Sequence, residues 1–177
     1  NAGTSLEKCL NARVTGHRRW KKYRDDYPLQ WSTYTNFAVL RDPVERFISC
    51  YDYARMEKSF WHSSIPGDQS VYGGHPDYDL CKSKTICEVA DVLINNRKLL
   101  HHPGWNSQYY WIAGDNDIAV DCLVDFAKLD AGMAELAPGI TIGHINESSS
   151  SRKSQLSDKS MSMLKEAYSL DSDLYRL

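Results

Sequence analysis

Long apolar runs are missing from this chain: nothing in its 177 residues approaches the roughly 20 consecutive apolar residues of a membrane-spanning helix. No signal-peptide pattern opens it, so no membrane contact is expected from these residues. A surplus of one charge is missing as well. Lys and Arg number 21 against 23 Asp and Glu, a formal net charge of -2, which argues against nucleic acid or any other polyanion held through a broadly basic surface. Local basic clusters remain. The five cysteines are an odd number, so they cannot all be paired. Cys9, Cys50 and Cys122 lie in apolar or helical contexts and read as small core residues, whereas Cys81 and Cys87 flank a polar turn and suit either a short disulfide or two thiols. Zinc-ligand spacing is absent, since His75, Cys81 and Cys87 match none of the usual structural patterns. There is no G-x-x-x-x-G-K-[ST] and no acidic pair placed to hold magnesium, which counts against a P-loop nucleotide kinase, the alternative enzyme class. No internal repeat is evident.

What is present is apolar content of 42% in a length suited to one well-buried domain. The chain is organised around Phe37 to Tyr51, FAVLRDPVERFISCY. An apolar strand-type run ends at Arg41, and Asp42-Pro43-Val44-Glu45 then reads as a helix start: Asp42 as N-cap, Pro43 at the first helical position, Glu45 where a capping box places a carboxylate. Val44, Phe47, Ile48, Tyr51 and Ala54 share one face of that helix, with Asp42, Glu45 and Ser49 opposite. A guanidinium at the carboxyl end of a strand, with a hydroxyl two turns into the next helix, suits a phosphate. The plainer reading is a surface Arg and a solvated Ser on an ordinary strand-helix unit.

This run resembles the 3′-phosphate-binding segment of the sulfotransferase family, R-[DN]-P-x-x-R-x-x-S-x-Y, with Arg41, Asp42, Pro43, Arg46, Ser49 and Tyr51 all fitting. The resemblance implies that Arg41 and Ser49 hold the 3′-phosphate of 3′-phosphoadenosine 5′-phosphosulfate, the sulfuryl donor. At the start, Asn1-Ala2-Gly3-Thr4-Ser5 leads into a helical pattern with Leu6, Cys9, Leu10 and Val14. Small residues and hydroxyls running into a helix describe an anion site or a simple N-cap. The family's 5′-phosphosulfate loop, P-K-x-[AG]-[GS]-T-[ST], makes Gly3, Thr4 and Ser5 candidates for the phosphosulfate. It also implies a loop Lys and a leading strand upstream of Asn1, and a chain of doubtful activity if Asn1 were its true start.

Residues 15 to 34 alternate basic, acidic and aromatic, with a short helix expected to end near Pro28. A lone His is usually structural, yet in the carbohydrate-acting branch of the family a His follows the first helix, and Gly16-His17 is similar in placement. The resemblance thus implies His17 as the base that takes the acceptor's proton, with His101 and His102 as rivals. Arg18, Arg19, Lys21 and Lys22 read equally as an attractor for an anionic acceptor or as a solvated face. Ser59 to Thr85 is a long irregular stretch, our candidate for acceptor recognition through Trp61, Tyr72 and Tyr78. Ile86 to Asn96 reads as a largely buried helix. His102 and Gln108 resemble the family's H-x-x-x-Q segment, beside the plainer reading of an aromatic turn of Trp105, Tyr109, Tyr110 and Trp111. Strand material is expected over Ile118 to Val120 and Cys122 to Phe126, followed by a helix at Asp130 to Leu136. Phe126 and Leu129 fit a family phrase F-E-x-L, with Ala127 in the acidic position. His144-Ile145-Asn146-Glu147-Ser148 resembles a family motif opening a loop over the nucleotide. The serines that follow, with Arg152 and Lys153, read as a mobile phosphate-closing loop or as a solvated linker. A final helix is expected over Leu156 to Tyr168, and the ending DSDLYRL resembles the Y-x-x-D-x-x-x-[FY] tail of many family members.

These readings give an α/β class: a P-loop-like, three-layer single domain over 1–177 with a small, mainly parallel sheet flanked by helices. The resemblance implies a sulfotransferase that needs no metal, with a carbohydrate or other hydroxyl as acceptor. A nucleotide- or glycan-binding relative without turnover is the non-enzymatic alternative. Members with related motifs occur in the Golgi lumen and in bacterial cytoplasm, so the compartment stays open.

Overall fold

A computed structural model of the chain describes residues 3–11, 17–56, 76–114, 117–140, 142 and 155–176. These group into two compact units. The first comprises Asn1–Asp42, Asn106–Glu147 and Leu170–Leu177; the second comprises Pro43–Trp105 and Ser148–Ser169.

The first unit is built on two parallel strands, β1 (Phe37–Leu40) and β2 (Cys122–Asp125), in register from Phe37 opposite Cys122 to Leu40 opposite Asp125. The unbroken FAVL run is what a strand covered on both faces requires. Successive side chains point to opposite faces, and the packing obeys this. Phe37 and Val39 join Val124, Leu129 and Met133 together with Leu6, Cys9 and Leu10. Those residues belong to α1 (Gly3–Cys9), the turn after it, and α8 (Leu129–Leu136). Ala38 and Leu40 join Tyr109, Trp111, Ile112 and Leu174 on the other face, from α7 (Gln108–Ile112) and α10 (Ser169–Leu174). Within this unit the sheet therefore lies between two helical layers. Asn11 takes the left-handed conformation (φ 48°) that ends α1. At Gly132 a Cβ would stand 2.7 Å from Val124 Cγ1, so only glycine lets α8 approach β2 this closely.

Two expectations are corrected here. Ile118 to Val120 is not a strand; it contributes one antiparallel bridge, Ala113 to Ile118. Phe126 opens a 3-10 turn instead of continuing β2, because Asp125 accepts the Ala127 N–H at 2.9 Å and turns the backbone. Pro28 also does more than end a helix: α2 (Trp20–Asp26) stops before it and α3 (Pro28–Thr33) starts on it, as its fixed φ and missing N–H allow.

The second unit is helical: α4 (Pro43–Arg55), α5 (Pro76–Ser83), α6 (Ile86–Asn95) and α9 (Asp158–Ala167). Pro43 opens α4 as expected, and Val44, Phe47, Ile48, Tyr51 and Ala54 are all buried. They pack with Val89, Ala90, Leu93, Trp105 and Leu164. α6 starts with a full capping box between Thr85 and Glu88; it buries one face only, Asp91 and Asn95 being exposed. The helix expected over Leu156 to Tyr168 is α9, capped by Ser157, and a further short helix, α10, begins after Tyr168. Asp77, wholly buried, accepts the N–H groups of His101 and His102, each at 2.8 Å, and the Trp105 indole N–H at 2.7 Å. All five cysteines are free thiols, which resolves the Cys81–Cys87 alternative against a disulfide. Burial pushes the Cys50 and Cys81 thiols up to about 12, the behaviour of inert packed sulfur.

Candidate functional site

β1 delivers Arg41 to the carboxyl end of the parallel sheet, the end where open α/β sheets bind ligands. The register that pairs Leu40 with Asp125 makes Phe126 the next residue opposite Arg41. The guanidinium accordingly lies 4.6 Å from the centre of the Phe126 ring, a cation–π contact that fixes its plane. Phe126 in turn packs in the cluster that holds Leu6, Cys9 and Leu10 of the α1 segment.

The Arg41 backbone is held by a side chain from α7. Its N–H donates to Gln108 Oε1 at 2.9 Å, and its carbonyl accepts from Gln108 Nε2 at 2.8 Å. A primary amide can satisfy both groups of one residue because donor and acceptor sit side by side. Gln108 is itself buried and anchored: Asp171 Oδ2 accepts its backbone N–H at 2.7 Å, and Asp171 Oδ1 accepts the Tyr109 N–H at 2.8 Å. The carboxylate thus caps the start of α7, where amide groups lack intrahelical partners. At the same sheet end the Tyr175 hydroxyl donates to Asp125 Oδ1 at 3.1 Å. Desolvation, then the bond to Asp125, holds the Tyr175 phenol above its ordinary range, so it stays protonated. Arg41, Gln108, Phe126, Asp125, Asp171 and Tyr175 form one constellation.

Of the candidates from sequence, Gly3, Thr4 and Ser5 fall in the first turn of α1, and Ser5 is buried. The helix begins at Gly3, earlier than the turn expected up to Leu6, since glycine costs little where amides are unpaired anyway. Ser49 is half-buried on α4 in the second unit. His17 is exposed, its ring centre 6.4 Å from that of Trp111. Desolvation lowers its pKa, which favours the neutral imidazole. In the second unit His102 Nδ1 accepts the Gly104 N–H at 2.9 Å, so this ring is engaged in shaping its own turn; the His101 and His102 backbones are tied to Asp77. Trp61, Tyr72, His75, His144, Arg152 and Lys153 lie outside the described residues. Among the described residues no group of His, Cys, Asp and Glu could hold a metal ion.

Two residues of the motif prove to be scaffold. Arg46 is buried, donates to the Gly104 carbonyl at 2.6 Å and lies 5.7 Å from the centre of the Tyr168 ring. The Tyr51 hydroxyl donates to the Lys84 carbonyl at 2.9 Å. The resemblance marked Asp171 and Tyr175 in a tail motif and Phe126 in a family phrase, but gave none of the three a place at the site. A parallel pairing of FAVL with CLVD would have pointed to Phe126.

Residues 4–79, less than half of the chain, match the model of the sulfotransferase family. No curated protein and no solved structure matches it.

Proposed function

We propose that this sulfotransferase-family chain moves a sulfuryl group from 3′-phosphoadenosine 5′-phosphosulfate to a hydroxyl, most suitably on a carbohydrate, and that residues 1–177 form a single P-loop-like domain. The donor supplies the activated sulfuryl group; the chain supplies grip, orientation and a proton acceptor. One observation carries the reading. Arg41, inside the matched segment, stands at the carboxyl end of a parallel sheet with its backbone pinned on both sides by Gln108 and its guanidinium laid on Phe126. That chemistry fits an anionic nucleotide: a planar fork of N–H donors on a backbone that does not move.

Arg41 and Ser49 would hold the 3′-phosphate, Gly3, Thr4 and Ser5 the phosphosulfate, and Arg152 and Lys153 would close on the nucleotide. His17, neutral because its pKa is lowered, would accept the proton of the acceptor hydroxyl. Calorimetry with adenosine 3′,5′-bisphosphate tests the donor site. Arg41→Ala should weaken binding at least tenfold, the loss of a charge-assisted contact of about 1.5–3 kcal/mol. Equal affinity in the variant, or tighter binding of ATP with magnesium than of the bisphosphate, would reject the assignment.

A further inference from the structure

The Arg41 guanidinium rests on a ring, and the ring is aimed by a turn. Phe126 follows β2 directly and opens the 3-10 turn Phe126–Lys128. The bond that bends the chain there runs from the Ala127 N–H to Asp125 Oδ1, at 2.9 Å. With that bond alone the carboxylate keeps freedom about its last torsion, which has a broad energy well. A second bond to the same oxygen removes the freedom. The Tyr175 hydroxyl supplies it, donating to Asp125 Oδ1 at 3.1 Å.

Sheet alternation separates Tyr175 from the side chain it serves. Leu40 and Asp125 are paired in register, and the Tyr175 ring packs against the cluster of Leu40, Ile112 and Leu174 on one face of the sheet. Phe126 belongs to the cluster on the other face, where the Arg41 guanidinium lies 4.6 Å from its ring centre. What joins the two faces is the end of β2 itself. The hydroxyl holds the carboxylate, the carboxylate holds the Ala127 amide, and the amide sets the turn that presents the ring.

Tyr175 is secured without its hydroxyl. Its backbone N–H donates to the Asp171 carbonyl at 3.0 Å, Leu174 beside it is buried, and its ring has the packing just described. The terminal segment thus reaches Arg41 by two routes. Asp171 acts through α7 and Gln108 on the backbone, and Tyr175 acts through Asp125 on the floor beneath the side chain. A long guanidinium side chain loses rotamer freedom when it grips an anion. One already laid flat on a fixed ring has less to lose, which is preorganisation.

We infer that Tyr175 is a positioning residue for nucleotide binding: its hydroxyl, by locking Asp125, fixes the turn that places Phe126 under the Arg41 guanidinium. This role rests on the donor reading above, in which Arg41 holds a 3′-phosphate.

Calorimetry on the full chain with adenosine 3′,5′-bisphosphate and adenosine 5′-phosphate tests it, because only the first nucleotide carries the group that Arg41 would hold. Tyr175→Phe keeps the ring and removes the hydroxyl. It should weaken the bisphosphate about 2- to 10-fold, the scale of one net hydrogen bond, and leave adenosine 5′-phosphate at its parent affinity. A merely structural loss would weaken both alike. In Asp125→Ala the linkage is already cut, so adding Tyr175→Phe should weaken the bisphosphate no further; should Asp125→Ala not fold, the two nucleotides in Tyr175→Phe decide alone. Parent affinity for the bisphosphate in Tyr175→Phe, equal weakening of both nucleotides, or losses that multiply in the double variant would each overturn the inference. Where Arg41→Ala still weakens the bisphosphate, those outcomes leave the donor reading standing. A silent Arg41→Ala removes the donor reading, and the role of Tyr175 with it.

Discussion

A single imidazole sets the pH behaviour expected of the reaction. His17 has its pKa lowered by desolvation, so above the ordinary value of about 6.5 the neutral form, able to accept a proton, predominates. As pH falls through the lowered pKa, the base is lost. If His17 takes the acceptor's proton, the midpoint of the acid limb of kcat/KM should lie below the ordinary histidine value of about 6.5. His17→Ala should lower kcat by roughly 100-fold and abolish that acid limb. A rate profile whose acid limb lies above pH 6.5, or near-normal turnover in the variant, would remove His17 from the role. Arg41 and the FAVL run before it were legible as residues because strand, turn and helix signals abut there. Arg46 was legible only as a letter of a motif, whereas periodicity had already put Tyr51 on the apolar helix face; the burial of both shows that part of the motif maintains the helix that carries it.

Elements explain how a side chain distant in sequence governs Arg41. α10 supplies Asp171, Asp171 caps α7, and α7 supplies Gln108, whose amide holds the Arg41 backbone. Asp171→Ala leaves two N–H groups without their acceptors in a buried setting. At about 1–3 kcal/mol for each unsatisfied group, a loss of about 2–6 kcal/mol is expected in urea unfolding. Asp171→Asn keeps one carbonyl oxygen and should lose less. Both should weaken bisphosphate binding in proportion to the disorder of α7, whereas affinity unchanged in Asp171→Ala would uncouple the two. Periodicity found β1, α4, α6 and β2 correctly in kind. It could not find this relay, which joins residues about 60 to 130 positions apart through bonds that leave no periodic trace, nor the turn at Phe126, set by one carboxylate.

At the scale of the molecule, charge balance and packing set the limits on what the chain can bind. With 21 cationic and 23 acidic side chains, many of the basic ones beside Trp20 are already matched: Arg18 and Lys22 with Asp26, and Arg24 with Asp25. Exposed pairs of this kind contribute little stability, but they cancel field. Retention on a nucleic-acid or other polyphosphate matrix at physiological salt should therefore be negligible, and retention that persists at 0.15 M would contradict that reading.

The parallel register of β1 and β2 has one more implication. It measures out where Arg41 rests: Leu40 meets Asp125, so the guanidinium comes down on the residue that follows. An insertion of one residue between Cys122 and Asp125 would bring Asp125 beneath it in place of the aromatic ring. The cation would then close on a carboxylate of its own chain and be neutralised before any nucleotide arrived, so length between these two short segments is under as much constraint as the arginine itself.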